Sequence, residues 1–79
     1  MTINETIYDI VARRMKRDIS ELRGDINLKK DLNADSIDTV EIVFEIEETY
    51  DISVPDQFAE TINTIDDAIS VVEQLVNTD

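Results

Sequence analysis

The chain has no cysteine and no histidine, and only one glycine and one proline. Without cysteine it has no disulfide and no thiolate of its own. Without histidine it lacks the commonest general base and the commonest metal ligand. The scarcity of turn residues favours helices over many short strands. Cations are also few: 7 Lys and Arg stand against 19 Asp and Glu, for a net charge of −12. Such a charge repels nucleic acid and anionic membrane surfaces and suits basic protein partners. No apolar run approaches membrane-spanning length. The N-terminal MTINETIYDI is acidic and lacks the basic flank and long apolar run of a secretion signal. These absences lead us to expect a soluble, cytoplasmic protein; a monomer is expected as well.

What is present is hydrophobic periodicity. A chain of 79 residues, 42% of them hydrophobic, can bury one modest core as a single domain. That periodicity sets aside the disorder that the charge alone would suggest. Residues 2–17 read as a helix with a stripe of Ile3, Ile7, Ile10, Val11 and Met15. Thr2 and Glu5 have the spacing of a capping box. Arg14 falls inside the stripe and is expected to lay its stem on the apolar surface. The basic run RRMKR suits the negative end of the helix dipole. Residues 18–35 have no clean period. They read as a long ordered loop pinned by Ile19, Leu22, Ile26, Leu28 and Leu32, with the lone Gly24 among them.

A second helix is predicted over 36–50. At about 100° per residue, Ile37, Val40, Val43, Phe44, Ile46 and Tyr50 share one broad apolar side. Asp38, Glu41, Glu45 and Glu48 gather opposite, with Glu47 at the margin. Pro55 disfavours helix at Val54, and Asp56 can cap a short helix over 57–61. The last helix starts at a Thr64/Asp67 pair and carries Ile65, Ala68, Ile69, Val72, Leu75 and Val76 on one stripe. The fold class expected is all-α: a four-helix bundle of three longer helices and one short one, with a long ordered loop between the first two.

The stretch NADSIDTVEIV, residues 33–43, carries the functional question. Asp31, Asn33 and Asp35 alternate as at the start of a calcium loop. Ser36 and Ile42 then stand where such a loop needs glycine and a bidentate glutamate, so no metal site is expected. As a nucleophile, Ser36 lacks a histidine to activate it, and the carboxylates are too many to single out an acid–base pair. The chain is therefore not expected to be an enzyme. Ser36 can instead be a substrate. A phosphate on its hydroxyl would sit at a helix N-terminus, where free N–H groups and the dipole favour an anion, although Asp35 and Asp38 oppose it. The residues permit that linkage without requiring it. Either Asp35 or Ser36 can also serve as a plain helix cap, which is the commoner reason for such a pair before a helix.

The run DLNADSIDTVEIVFEIEETYDISVPD closely resembles the acyl carrier protein family, and the likeness in length, charge and layout extends over essentially the whole chain. The family's Asp-Ser-Leu attachment motif reads Asp35-Ser36-Ile37 here, and its Ile-Pro-Asp reads Val54-Pro55-Asp56. Asn33 replaces the usual glycine and tolerates a left-handed backbone better than most residues. Leu28 stands where the family often has Phe. The resemblance implies a carrier. A phosphopantetheinyl transferase of the holo-acyl-carrier-protein synthase type would attach 4′-phosphopantetheine to Ser36. The arm's thiol would hold acyl groups as thioesters, to be delivered to the basic surfaces of enzymes of fatty-acid biosynthesis. A specialised secondary-metabolite, lipid or aminoacyl pathway is the alternative, and an unmodified acidic interaction module is a third reading. By position, the partner-facing residues would be Asp35, Ile37, Asp38, Glu41, Phe44, Glu47 and Glu48. The acyl chain would be lined by Val40, Val43, Ile46, Ile62, Ala68 and Ile69, all of which could equally be core.

Overall fold

The computed structural model describes residues 2–76. Four α-helices follow in chain order: α1 (Ile3–Met15), α2 (Ser36–Tyr50), α3 (Asp56–Ala59) and α4 (Ile65–Val76). Helix α1 opens on the expected capping box. Thr2 Oγ1 accepts from the Glu5 N–H, and the Glu5 carboxylate accepts from the Thr2 N–H. It closes at Lys16, in the left-handed region at φ 56°. There the Arg17 N–H reaches back to the Ala12 carbonyl at 2.9 Å, satisfying a helix-end carbonyl. Arg13 and Arg14 occupy the last turn, where the dipole favours cations.

Helix α1 packs against both α2 and α4. Ile7, Ile10 and Val11 of α1 meet Ile42 and Ile46 of α2 and Ile65, Ala68 and Val72 of α4 in one buried cluster. Each such aliphatic side chain contributes about 1.5–3 kcal/mol relative to exposure. Val71, outside the predicted α4 stripe, is also buried, whereas Leu75 and Val76 are only half-buried.

The segment from 18 to 35 is ordered, as expected, and the core explains why. Leu22, Ile26, Leu28, Leu32 and Ala34 are all buried. Ile19 is not: it sits in a short 3-10 turn (Ile19–Glu21) and remains 47% exposed, so it does not pin the loop. The loop backbone instead pairs with the start of α4. Leu28 N–H donates to the Asn63 carbonyl at 2.8 Å, Ile65 N–H to Ile26 at 3.2 Å, and Asp66 N–H to Gly24 at 2.9 Å. Gly24 lies under the Asp66 carboxylate, where a Cβ would push that side chain aside.

Two local expectations are corrected. Asp56 does not cap α3: Pro55 holds the cap position without a side-chain bond, and Asp56 is the first helical residue. Proline supplies the φ the entry needs, and the Phe58 and Ala59 N–H groups bond to the Pro55 carbonyl. The single broad apolar side of α2 is in fact two stripes. Ile42, Ile46 and the half-buried Val43 and Tyr50 face the core, while Ile37, Val40 and Phe44 are 65%, 49% and 57% exposed. Ile42, left off the predicted stripe, is 1% exposed.

Candidate functional site

Asp35, not Ser36, caps α2. Asp35 Oδ1 accepts from the Asp38 N–H at 2.8 Å, and Asp38 Oδ2 accepts from the Asp35 N–H at 3.2 Å. Thr39 Oγ1 adds a bond to the Asp35 carbonyl at 2.8 Å. The chain reaches this cap through Asn33, at φ 61°, a left-handed conformation that asparagine tolerates. The buried Ala34 follows, its N–H bonded to the Leu28 carbonyl at 3.0 Å. The suggested calcium-loop positions are thus otherwise employed: the Asp31 carboxylate accepts from the Asn27 N–H at 2.8 Å, Asn33 turns the chain, and Asp35 caps.

Ser36 is consequently left over. It is the first residue of α2, it is exposed, and its hydroxyl has no hydrogen-bond partner among the described residues. It stands at the edge of an open-sided groove of about 590 Å³ between α2, the connection to α3, α3 itself and the loop at Leu28 and Lys29. The volume is in the range of small-molecule sites. Val40, Ile42, Val43, Val54, Ala59 and Ile62 supply its apolar wall, and Thr39, Glu47, Asp56 and Glu60 are among its polar members.

Three of the six residues expected to line an acyl chain, Val40, Val43 and Ile62, border this groove. Ile46, Ala68 and Ile69 do not; they are packed in the main core. The periodicity that selected them measures apolarity, and core and groove share it. Ile42, Leu28, Val54 and Ala59 also line the groove and were not among the six. Leu28 and Val54 belong to loops, where no helical period points to a wall.

The expected partner face is partly assembled. Ile37, Phe44 and Glu48 are exposed, and the Glu48 carboxylate has no ion pair or hydrogen bond among the described residues. Asp35 and Asp38 bond each other's backbone. Glu41 is paired with Arg14 of α1. Glu47 is turned inward: its Oε2 accepts from the Val54 N–H at 2.7 Å and ties the α2–α3 connection to the groove wall.

Solved structures share this fold. A protein assigned as an acyl carrier protein from Mycobacterium tuberculosis superposes with a TM-score of 0.87 at 25% identity, over 92% of this chain and 97% of that one. The acyl carrier protein of Enterococcus faecalis, noted for high thermal stability, gives 0.79 at 27% identity over 92% of each chain. The apo doublet acyl carrier protein of prodigiosin biosynthesis gives 0.80 at 25% identity; 98% of this chain matches 38% of that one. The family model described as a phosphopantetheine attachment site matches residues 5–72. Most of the chain lies within that match, and the protein belongs to this family of acyl carrier proteins, which carry a 4′-phosphopantetheine group and are carriers rather than enzymes.

Proposed function

We propose that Ser36 is the residue to which 4′-phosphopantetheine is attached, and that the protein delivers acyl groups to enzymes of fatty-acid biosynthesis. One observation carries the reading: Asp35 takes the capping work and leaves the Ser36 hydroxyl exposed, unengaged and at the edge of an apolar groove. The residues around it fit the group. The N-terminus of α2 favours a phosphate, and Lys29, on the groove wall with Ser36, offsets part of the acidity of Asp35 and Asp38. When bound, the group supplies the thiol that this cysteine-free chain lacks.

In the transferase reaction, Ser36 Oγ would form the new bond to phosphorus as the pyrophosphate bond of coenzyme A breaks, 3′,5′-adenosine diphosphate would leave, and the hydroxyl proton would pass to a base on the transferase. The groove's wall of Val40, Ile42, Val43, Val54, Ala59 and Ile62 offers an apolar chain shelter from water, which supports a fatty-acyl cargo. The outer face of α2 presents the exposed Ile37 and Phe44, with Glu48 beside Phe44, an apolar anchor with an acidic rim that suits a basic enzyme surface. The unmodified-module reading loses its role for Ser36, because Asp35 is the cap.

Incubation with coenzyme A and a broad-specificity transferase tests the attachment by intact mass. A gain of one phosphopantetheine on the wild type and none on Ser36→Ala is expected. No gain, or a gain that survives Ser36→Ala, overturns it. The cargo is read from the intact mass of protein purified from its native cell: a fatty-acyl thioester is expected, and an aminoacyl or polyketide-type cargo moves the protein to a specialised pathway.

A further inference from the structure

The outer side of α2 carries Glu41, Glu45 and Glu48 on successive turns, but two of the three are already engaged by α1. Arg13 holds Glu45 through both guanidinium ends, Nη1 to Oε1 at 3.2 Å and Nη2 to Oε2 at 3.4 Å. Its Nε also donates to Asp9 at 3.0 Å. Arg14 Nη2 pairs with Glu41 Oε2. Arg14, Glu41, Glu45, Phe44 and Glu48 together line a shallow depression of about 330 Å³. A partner's cation entering beside Phe44 therefore meets Arg14 in the same hollow as the free carboxylate.

Packing alone does not account for Arg14. It lies within the apolar stripe of α1, is half-buried, and leaves its Nε buried with no hydrogen-bond partner. A guanidinium whose Nε is buried and unbonded carries a desolvation cost that a methionine or leucine there would avoid.

We propose that Arg13 and Arg14 are specificity-determining residues: they act as a built-in counter-surface that occupies Glu45 and Glu41 and sets how strongly a basic partner can hold α2. The proposal rests on reading α2 as the docking face. Partners meet Glu48 and the exposed Ile37 and Phe44 first. A partner whose recognition needs the whole acidic row must first displace the two arginines, so the carrier binds such partners weakly and releases them fast. Charge pairs of this kind act chiefly on encounter and discrimination between partners.

The test is steady-state loading by a phosphopantetheinyl transferase of the holo-acyl-carrier-protein synthase type, with carrier concentration varied. Arg13→Gln and Arg14→Met are compared with Arg23→Gln, which changes net charge equally but frees Asp25, a partner on its own loop rather than on α2. We expect KM for the carrier to fall about two- to fivefold in the first two relative to Arg23→Gln, the range that freeing one exposed pair allows. With kcat unchanged, the added Glu45→Gln should restore KM in the Arg13→Gln background. A KM equal to that of Arg23→Gln in both variants, with only the melting temperature changed, makes the pairs structural and overturns the proposal. Should Arg14→Met fail to fold, the exposed Arg13 variant decides by itself. Absence of loading in the wild type would instead overturn the reading of Ser36 on which the proposal rests.

Discussion

The starts of α2 and α4 are built with the same device and put to opposite ends. Each opens on a reciprocal capping box: Asp35 with Asp38, and Thr64 with Asp67. In each the next residue is the first of the helix. At α4 that residue is Ile65, fully buried, its N–H held by the Ile26 carbonyl. At α2 it is Ser36, exposed and without a side-chain partner among the described residues. The loop from Gly24 to Leu28 covers the start of α4 with backbone bonds, and Leu28 and Lys29 turn their other side to the groove beside Ser36. A cap thus satisfies the helix end in both places, and the neighbours decide whether the next side chain is committed to the core or left available for chemistry.

The sharpest contrast is between truncations at these two positions. Ile65→Ala should lose about 2–5 kcal/mol of stability, the range for emptying a buried aliphatic site. Ser36→Ala should stay within about 0.5 kcal/mol of wild type, as surface substitutions do, while abolishing loading. Denaturant unfolding measures both, and a Ser36→Ala loss of similar size would break the comparison.

Next in size are the caps themselves. Thr64→Ala should cost about 2 kcal/mol, at the upper end for caps, because Thr64 and Asp67 are half-buried and the loop depends on them. Asp35→Ala, at an exposed cap, should cost about 1 kcal/mol. Equal costs would mean that the surroundings add nothing to the cap.

Acid should probe the start of α4. The Asp67 carboxyl is held below its ordinary 3.8 by the Thr64 N–H first and the Asn63 N–H second. Its folded pKa lies below its unfolded one. Its stabilisation is therefore complete above the unfolded value and is lost as pH falls through the folded one. Glu5, lowered from 4.5 by Thr2, and Asp18, lowered from 3.8 by Ser20, have the same sign. Thermal melts should fall off below about pH 4, with a shallower decline in Asp67→Asn. An unchanged acid limb in that variant would remove Asp67 from the account.

The smallest effect is screening. At a net charge of −12 the folded chain repels itself, so added salt or magnesium should raise the melting temperature. The gain is expected to be modest, since Asp35, Asp38, Glu41, Glu45 and Glu47 already have hydrogen-bond or ion-pair partners. A response flat across ionic strength would count against self-repulsion.

Much of this was legible along the chain. Thr2 with Glu5, and Thr64 with Asp67, announce their helices because a capping box is a contact over three residues. Asn33 is legible as a left-handed position because that preference belongs to the residue itself. Of the six residues named for an acyl chain, Val40, Val43 and Ile62 border the groove, whereas Ile46, Ala68 and Ile69 pack in the core; Ile42, which borders the groove too, was not among them. Glu47 was placed on the partner face, yet its carboxylate serves Val54, seven residues away across a turn.

By itself, then, the sequence determined the helices, the capping boxes at Thr2 and Thr64, the acidity and the resemblance to the family to which the chain belongs. All of these depend on residues within a turn or two of each other, or on composition. Only the tertiary structure decided which apolar residues of α2 pack into the core, which of them also border the groove, and which are left exposed. It also decided that Arg13 reaches Glu45 and Arg14 reaches Glu41. The physical reason is that periodicity orders residues around a helix axis but does not say what lies on each side. That is settled when α1 packs against both α2 and α4 to bury Ile7, Ile42, Ile65 and their neighbours.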